Sequence, residues 1–245
     1  MALHPHRYLD LLDADARRMA ALAPGHLALP VPPCPGWNVA EVMRHTASVY
    51  GNKVASIRLG RPASEGEWRT HPPQGVDVVH WFSQTFGSLR EELIDHDPGD
   101  PTPTWWPPDQ TVGFWYRRMA LETVVHRVDV EIAVGKVSDV HADLAGDGID
   151  EVLTVFLGMH DPGAEGAPSG VVGVAANERS WTLHLEEDAV RVEPGDVAPA
   201  TAHVSGEPAQ VFLYLWGRAS LNRLKFGGDP GLIAQLRRRL AAATQ

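Results

Sequence analysis

The sequence holds one cysteine, Cys34, among 245 residues. No disulfide can form within the chain, which fits a reducing, cytoplasmic setting. Long apolar runs are also missing. The longest, VVGVAA and VFLYLW, fall far below the roughly 20 residues of a membrane span, so no membrane partner is expected. The opening segment MALHPHRYLDLLDAD has no apolar signal core, and export is not expected. Basic residues number 21 against 31 acidic ones, a net charge of −10, and no run of Lys and Arg concentrates them. A general polyanion binder needs such a patch, so nucleic acid is not an expected partner. Repeats of fixed period and low-complexity tracts are absent too.

What is present is enough apolar residue, 44%, for a buried core. Four stretches of the first half carry apolar residues at helical spacing between Pro/Gly-rich breaks, the pattern of a four-helix bundle. The first covers about residues 6–23, with Tyr8, Leu11, Leu12, Met19 and Leu22 on one side before Pro24-Gly25. The second follows VPPCPGW, where Asn38 and Glu41 have the spacing of a capping box, and continues to about residue 59. The third, roughly 76–95, aligns Val78, Phe82, Phe86, Leu89 and Leu93; the fourth spans about 112–134 and stops at Gly135. After residue 136 the pattern changes. A helical stretch with LAGDGIDEVLTVFLG leads to the loop DPGAEGAPSG, then to WTLHLEED, AVRVEPG and ATAHVSG, which read as strands. The helix EPAQVFLYLWGR follows, then LKF and a last helix, GLIAQLRRRL. The expected fold is α+β overall: a bundle over 1–136 and a small α+β domain over 137–245.

On the fourth helix the aliphatic stripe is Leu121, Val124, Val125, Val128 and Ile132. Glu122 and His126 lie off it, on a flank with Trp115, Met119 and Ala133, stacked one turn apart. His45, three residues after Val42 and four before Val49, places a second imidazole on an apolar face of the second helix. His, Glu and His from two helices suit Zn²⁺ with coordination positions left open for catalysis. The same set also suits non-haem Fe(II). Each residue has a plainer reading: an i,i+4 Glu/His pair is common on solvated helices, and a histidine on an apolar face is commonly a hydrogen-bonded core residue.

PPCPGWNVAEVMRH, ALETVVHRVD, AGDGIDEVL and VFLYLWGR occur in that order over most of the chain. Together they resemble the mycothiol-dependent maleylpyruvate isomerase family. The resemblance implies a DinB-like metal-binding four-helix bundle followed by a domain similar to sterol-carrier proteins. It implies zinc, or another divalent metal, on His45, Glu122 and His126, and an arginine of the W-G-R motif, here Arg218, facing the metal cleft as a catalytic and cofactor-binding residue. It also implies mycothiol as the thiol cofactor and an electrophilic small molecule as substrate. In the family's reaction a thiolate adds to a cis double bond conjugated with carbonyls, and rotation and elimination give the trans isomer; an S-transferase stops after addition or displacement. A thiol-independent metal hydrolase and a non-catalytic binding protein with a structural metal stand as alternatives.

Other residues take structural readings. Arg218, read alone, would pair with an acid and anchor the last helix to a strand. Asp129 is placed to orient the second nitrogen of His126 or to balance an arginine, and Arg127 to pair with Glu131. Cys34 is expected to be structural, His80 exposed and His184 solvated on the outer side of a strand. His4 and His6 fall in a terminus expected to fray. Trp105 and Trp106 are expected to pack their Pro-rich loop against the bundle.

Overall fold

The first three long helices of the N-terminal half begin at a side-chain cap, and the second and fourth end on a left-handed glycine. The structure, a computed structural model, describes residues 2–160, 166, 168–196, 199–219 and 221–244. Helix α1 (Pro5–Leu22) starts at His4, whose Nδ1 accepts from the His6 amide at 3.4 Å, so the expected fraying gives way to a capped first turn. Helix α2 (Val39–Leu59) opens on the foreseen capping box: Asn38 Oδ1 accepts from the Glu41 amide at 3.0 Å and Glu41 Oε2 from the Asn38 amide at 2.8 Å. It closes on Gly60. Asp77 caps α3 (Val78–Asp95) by accepting from the amides of Val79 and His80. Helix α4 (Val112–Val134) ends on Gly135, whose φ of 75° lets the chain leave through the left-handed region.

These helices form one compact unit, Ala2–Ser138. Helix α1 packs chiefly on α4, and α2 on α3 and α4. Leu12, Met19, Met43, Phe82, Leu89 and Leu121 fill the core. The single apolar stripe expected for α4 is not what forms. The helix is buried around nearly its whole circumference: Arg118, Asp129 and Glu131 are as buried as its valines, whereas Ile132 is only half-buried. Buried charge survives there because it is paired. Glu131 accepts from Arg18 Nε at 2.9 Å, Arg127 Nη1 at 2.8 Å and the Ser138 amide at 2.9 Å. Trp105 and Trp106 do pack their loop on the bundle, with ring centroids 5.3 and 6.0 Å from Phe114.

The second unit is Asp139–Gln245. Helix α5 (Ala142–Glu151) runs through a π-helical segment (Val152–Leu157) into α6 (Gly158–His160). Strands β1 (Gly170–Ala176), β2 (Arg179–Leu185), β3 (Val190–Pro194), β4 (Ala202–Gly206) and β5 (Lys225–Gly228) form one sheet in the order β3-β2-β1-β4-β5. Only β1 and β4 run parallel; the other neighbours are antiparallel. Helices α7 (Pro208–Leu215) and α8 (Pro230–Ala243) both pack on β1 and β4. The outer face expected for β2 is partly covered. Thr182 is buried, its hydroxyl donating to the Gly195 carbonyl at 2.7 Å, and His184 is half-buried, 3.8 Å from Glu193. His80 is exposed. Among the described residues no helix is long and apolar enough to cross a membrane.

Where β5 ends, the backbone of residue 228 must pass close to its neighbour. Gly228 has φ of 76°, and a Cβ there would lie 2.1 Å from the Thr201 carbonyl oxygen. Gly228→Ala is therefore expected to destabilise the second unit by at least about 1–3 kcal/mol from backbone strain, lowering its melting temperature by several degrees. An unchanged melting temperature would contradict this edge packing.

Candidate metal centre

The turn before α2 positions the first wall of the site. In VPPCPGW the Cys34 amide donates to the Val31 carbonyl and the Trp37 amide to the Cys34 carbonyl, both at 3.0 Å, while Gly36 supplies a φ of 83°. This double turn lays the Trp37 ring against His45, centroid to centroid 5.0 Å, and 6.4 Å from the His126 ring. His45 projects from α2, and Glu122 and His126 from α4. Their ligand atoms all lie within 4.8 Å of one another. Nε2 of His45 is 3.2 Å, and Nε2 of His126 3.3 Å, from the same oxygen, Glu122 Oε1.

Three further groups hold these donors. Glu122 Oε2 accepts from Arg118 Nη2 at 2.7 Å, which leaves Oε1 turned toward the imidazoles. His126 Nδ1 lies 3.0 Å from Asp129 Oδ2, which fixes the ring so that Nε2 faces Glu122. The Cys34 thiol donates to the same Asp129 oxygen at 3.5 Å. A divalent cation with ligands at about 2.0–2.2 Å separates tetrahedral donors by roughly 3.4 Å. The two imidazole-to-carboxylate distances already match that spacing, so donor chemistry and placement both fit such an ion. Among the described residues no fourth His, Cys, Asp or Glu joins the group.

Without an ion the donors bind one another. Burial opposes charge on Glu122, but His126, His45 and Arg118 outweigh it and hold the carboxyl well below the usual carboxylate range. Burial likewise opposes charge on His126, and Glu122 and Asp129 overcome it, raising its pKa to about 9.

The sequence profile of the mycothiol maleylpyruvate isomerase N-terminal domain matches residues 8–131, and that of the family's C-terminal domain matches residues 143–235. The chain belongs to the mycothiol-dependent maleylpyruvate isomerase family. Its fold is that of solved structures carrying the family's name. The crystal structures of the mycothiol-dependent maleylpyruvate isomerase and of a histidine-to-alanine mutant of it align with TM-scores of 0.62 and 0.63, at 12% and 11% identity. Each alignment covers 93% of this chain and 95% of the other. A search of curated proteins finds no match.

Within the family's N-terminal domain lie all three donors; Arg218 lies in the C-terminal one. Arg218 follows α7, half-buried, with Nη1 donating to the Trp216 carbonyl and its amide to the Leu213 carbonyl. Nearby, Arg237 ties α8 to the end of α7, its Nη1 donating to the Tyr214 and Leu215 carbonyls at 2.8 Å each. Asp129 takes the orienting place expected of it, and Arg127 pairs with Glu131. Sequence reasoning missed Trp37 and Arg118. The one available signal was for Arg118, four residues before Glu122 on the same helix.

The ion-free pair makes stability depend on pH. Glu122, with a depressed pKa, stabilises the fold above its ordinary range, and that contribution is lost on acidification. His126, with a raised one, stabilises it fully below about 6.5 and loses this as pH rises through about 9. In chelator-treated protein the melting-temperature advantage of wild type over His126→Gln is expected to shrink between pH 6 and pH 9.5. A constant difference would contradict the pairing.

Proposed function

We propose that this chain is a zinc-dependent enzyme that uses mycothiol as a thiol cofactor, acting as an isomerase or S-transferase on an electrophilic small molecule such as a maleylpyruvate-like cis-enoyl compound. The observation that carries the reading is the convergence of two imidazole Nε2 atoms and one carboxylate oxygen, with no fourth protein donor among the described residues. A structural zinc is normally closed by four protein ligands, so a three-donor set supports catalysis over the structural alternative. Family membership and the names of the related structures support the thiol and the isomerisation. The division of labour follows the sequence: metal binding in 1–136, and a cofactor contact from 137–245.

In this reading His45, Glu122 and His126 hold the metal. When bound, zinc favours the deprotonated form of a thiol, whose ordinary pKa of about 8.5 leaves it mostly protonated at neutral pH. The chain's own residues keep the donors in their reactive states. Asp129 accepts from His126 Nδ1, an arrangement that would leave the lone pair on Nε2 once a metal ion takes the place of its proton. Arg118 occupies one oxygen of Glu122 and leaves the other to ligate. Trp37 covers the imidazoles on one side. Arg218 grips a carboxylate or a polar group of the thiol cofactor through its planar fork of donors. For a cis-enoyl substrate, the bound thiol would supply a nucleophile that adds reversibly to the alkene while the displaced π electrons pass to the conjugated carbonyl, so that rotation and loss of the same thiol would leave the trans isomer with no net change in atoms or electrons.

The test is turnover of maleylpyruvate by zinc-analysed protein, with and without mycothiol. Turnover is expected only with the thiol, and Glu122→Ala is expected to lower it at least about a hundredfold without unfolding the chain. Asp129→Asn should weaken zinc affinity by about 10–100-fold in chelator competition. Thiol-independent turnover would move the reading to a hydrolase, and global unfolding of Glu122→Ala on metal loss would favour a structural metal.

A further inference from the structure

Lys53 is an ammonium group with no carboxylate in direct contact among the described residues. It lies on α2 two turns beyond His45, half-buried. Its Nζ donates to the amide oxygen of its neighbour Asn52 at 2.9 Å and sits 4.7 Å from the centroid of the Trp115 ring. Among the described residues no carboxylate lies within ion-pair distance of it. Two of its three N–H donors therefore lack a protein acceptor.

Trp115 carries a second, independent deficit at the same place. The residue is 2% exposed, and its Nε1–H is buried without an acceptor among the described residues. An orphaned buried donor costs about 1–3 kcal/mol, so such a group commonly has an acceptor that is not part of the protein. Here the orphan belongs to the ring that the ammonium covers, so both unmet demands are for an acceptor in one locality. The charge balance agrees. Burial pulls the Lys53 pKa down to about 8; the Glu122 carboxylate works against this fall and Arg118 adds to it. Lys53 and Arg118 thus share one nearby carboxylate that both imidazoles also claim, and a cation in the three-donor site would leave the locality more positive still.

We propose that Lys53 and Trp115 form a carboxylate-binding subsite that anchors the remote end of an anionic substrate whose reactive carbons lie at the three-donor centre. Lys53 stands two turns from His45 on α2, and Trp115 two turns before Glu122 on α4, with Arg118 between. At 1.5 Å per residue the backbone positions of Lys53 and Trp115 stand roughly 10–12 Å along their helices from those of the metal donors, and the Lys53 side chain reaches back far enough for its ammonium to feel the Glu122 carboxylate. That spacing suits an extended small molecule with its carboxylate at one end. An ammonium contributes a point charge and the indole a directed N–H, so a carboxylate should be preferred over a neutral group of the same shape. The inference rests on the proposed isomerase or transferase reading for the reactive end, but the subsite can be tested without turnover.

The experiment is calorimetric titration of maleate, and of neutral dimethyl maleate, into the zinc-supplemented 245-residue chain, with zinc content and circular dichroism measured for every variant. Wild type is expected to bind maleate and to prefer it to the ester. Lys53→Met is expected to weaken maleate binding by about 10–100-fold while leaving zinc content and ester binding unchanged. Trp115→Phe, which keeps the ring and removes the N–H, is expected to weaken it by about three- to tenfold, and it carries the test alone if Lys53→Met does not fold. Maleate binding that survives both substitutions, or a wild type that does not bind maleate, overturns the subsite. Lys53-dependent maleate binding in a protein that shows no thiol-dependent turnover would keep the subsite and overturn the isomerase reading, so the two failures are distinguishable.

Discussion

The site at the bundle's centre depends on keeping one half-buried carboxylate, Glu122, ionised and aimed. Its two oxygens do different work. Oε2 is held by Arg118 at 2.7 Å, and Oε1 faces two imidazole nitrogens at 3.2 and 3.3 Å. Removing one partner of a buried ion pair leaves an uncompensated charge and costs about 3–5 kcal/mol. The neighbouring groups are fixed by the same need. Asp129, fully buried, is satisfied by His126 and Cys34; Glu131 by Arg18, Arg127 and Ser138. An interior of this kind adds little net stability beside an apolar one of equal volume. What it provides is a set of donors already turned toward a common point.

How far this could be read from the sequence follows from the range of the interactions. Local devices were legible: the Asn38/Glu41 capping box, the stop at Gly135, and the i,i+4 relations of Arg127 with Glu131 and of Glu122 with His126 all lie within one helical turn or one cap. His45 was picked out by its face on α2, but its approach to Glu122 spans 77 residues and came from the family resemblance. Strand β1 was not foreseen. Its sequence, GVVGVAA, alternates valine with glycine and alanine, so no polar face marks it, yet it lies at the centre of the sheet between β2 and β4. The burial of Arg118 and Asp129 was equally hidden, because on a helix buried around nearly its whole circumference the charged residues lie inside along with the aliphatic stripe.

Lys53 and Trp115 extend the same logic. Lys53 reaches its neighbour Asn52 and the Trp115 ring, contacts that carry no periodic signal, so the pattern alone gave Trp115 as one member of a flank and left Lys53 unremarked. Only the joint geometry shows an ammonium over an indole whose own N–H has no acceptor among the described residues. The bundle thus holds two kinds of unmet demand along α2 and α4: nucleophilic donors seeking a cation at one point, and cationic or N–H donors seeking an anion two turns away.

The most direct measurement is X-ray absorption at the zinc edge of the purified, zinc-loaded chain, before and after addition of mycothiol. Two imidazoles and oxygen ligands are predicted before addition, and a sulfur scatterer at about 2.3 Å after it, with the imidazole signal lost in a His45→Ala/His126→Ala double variant. An unchanged spectrum on adding the thiol, or an imidazole signal that survives the double variant, would contradict an open three-donor centre built from His45, Glu122 and His126.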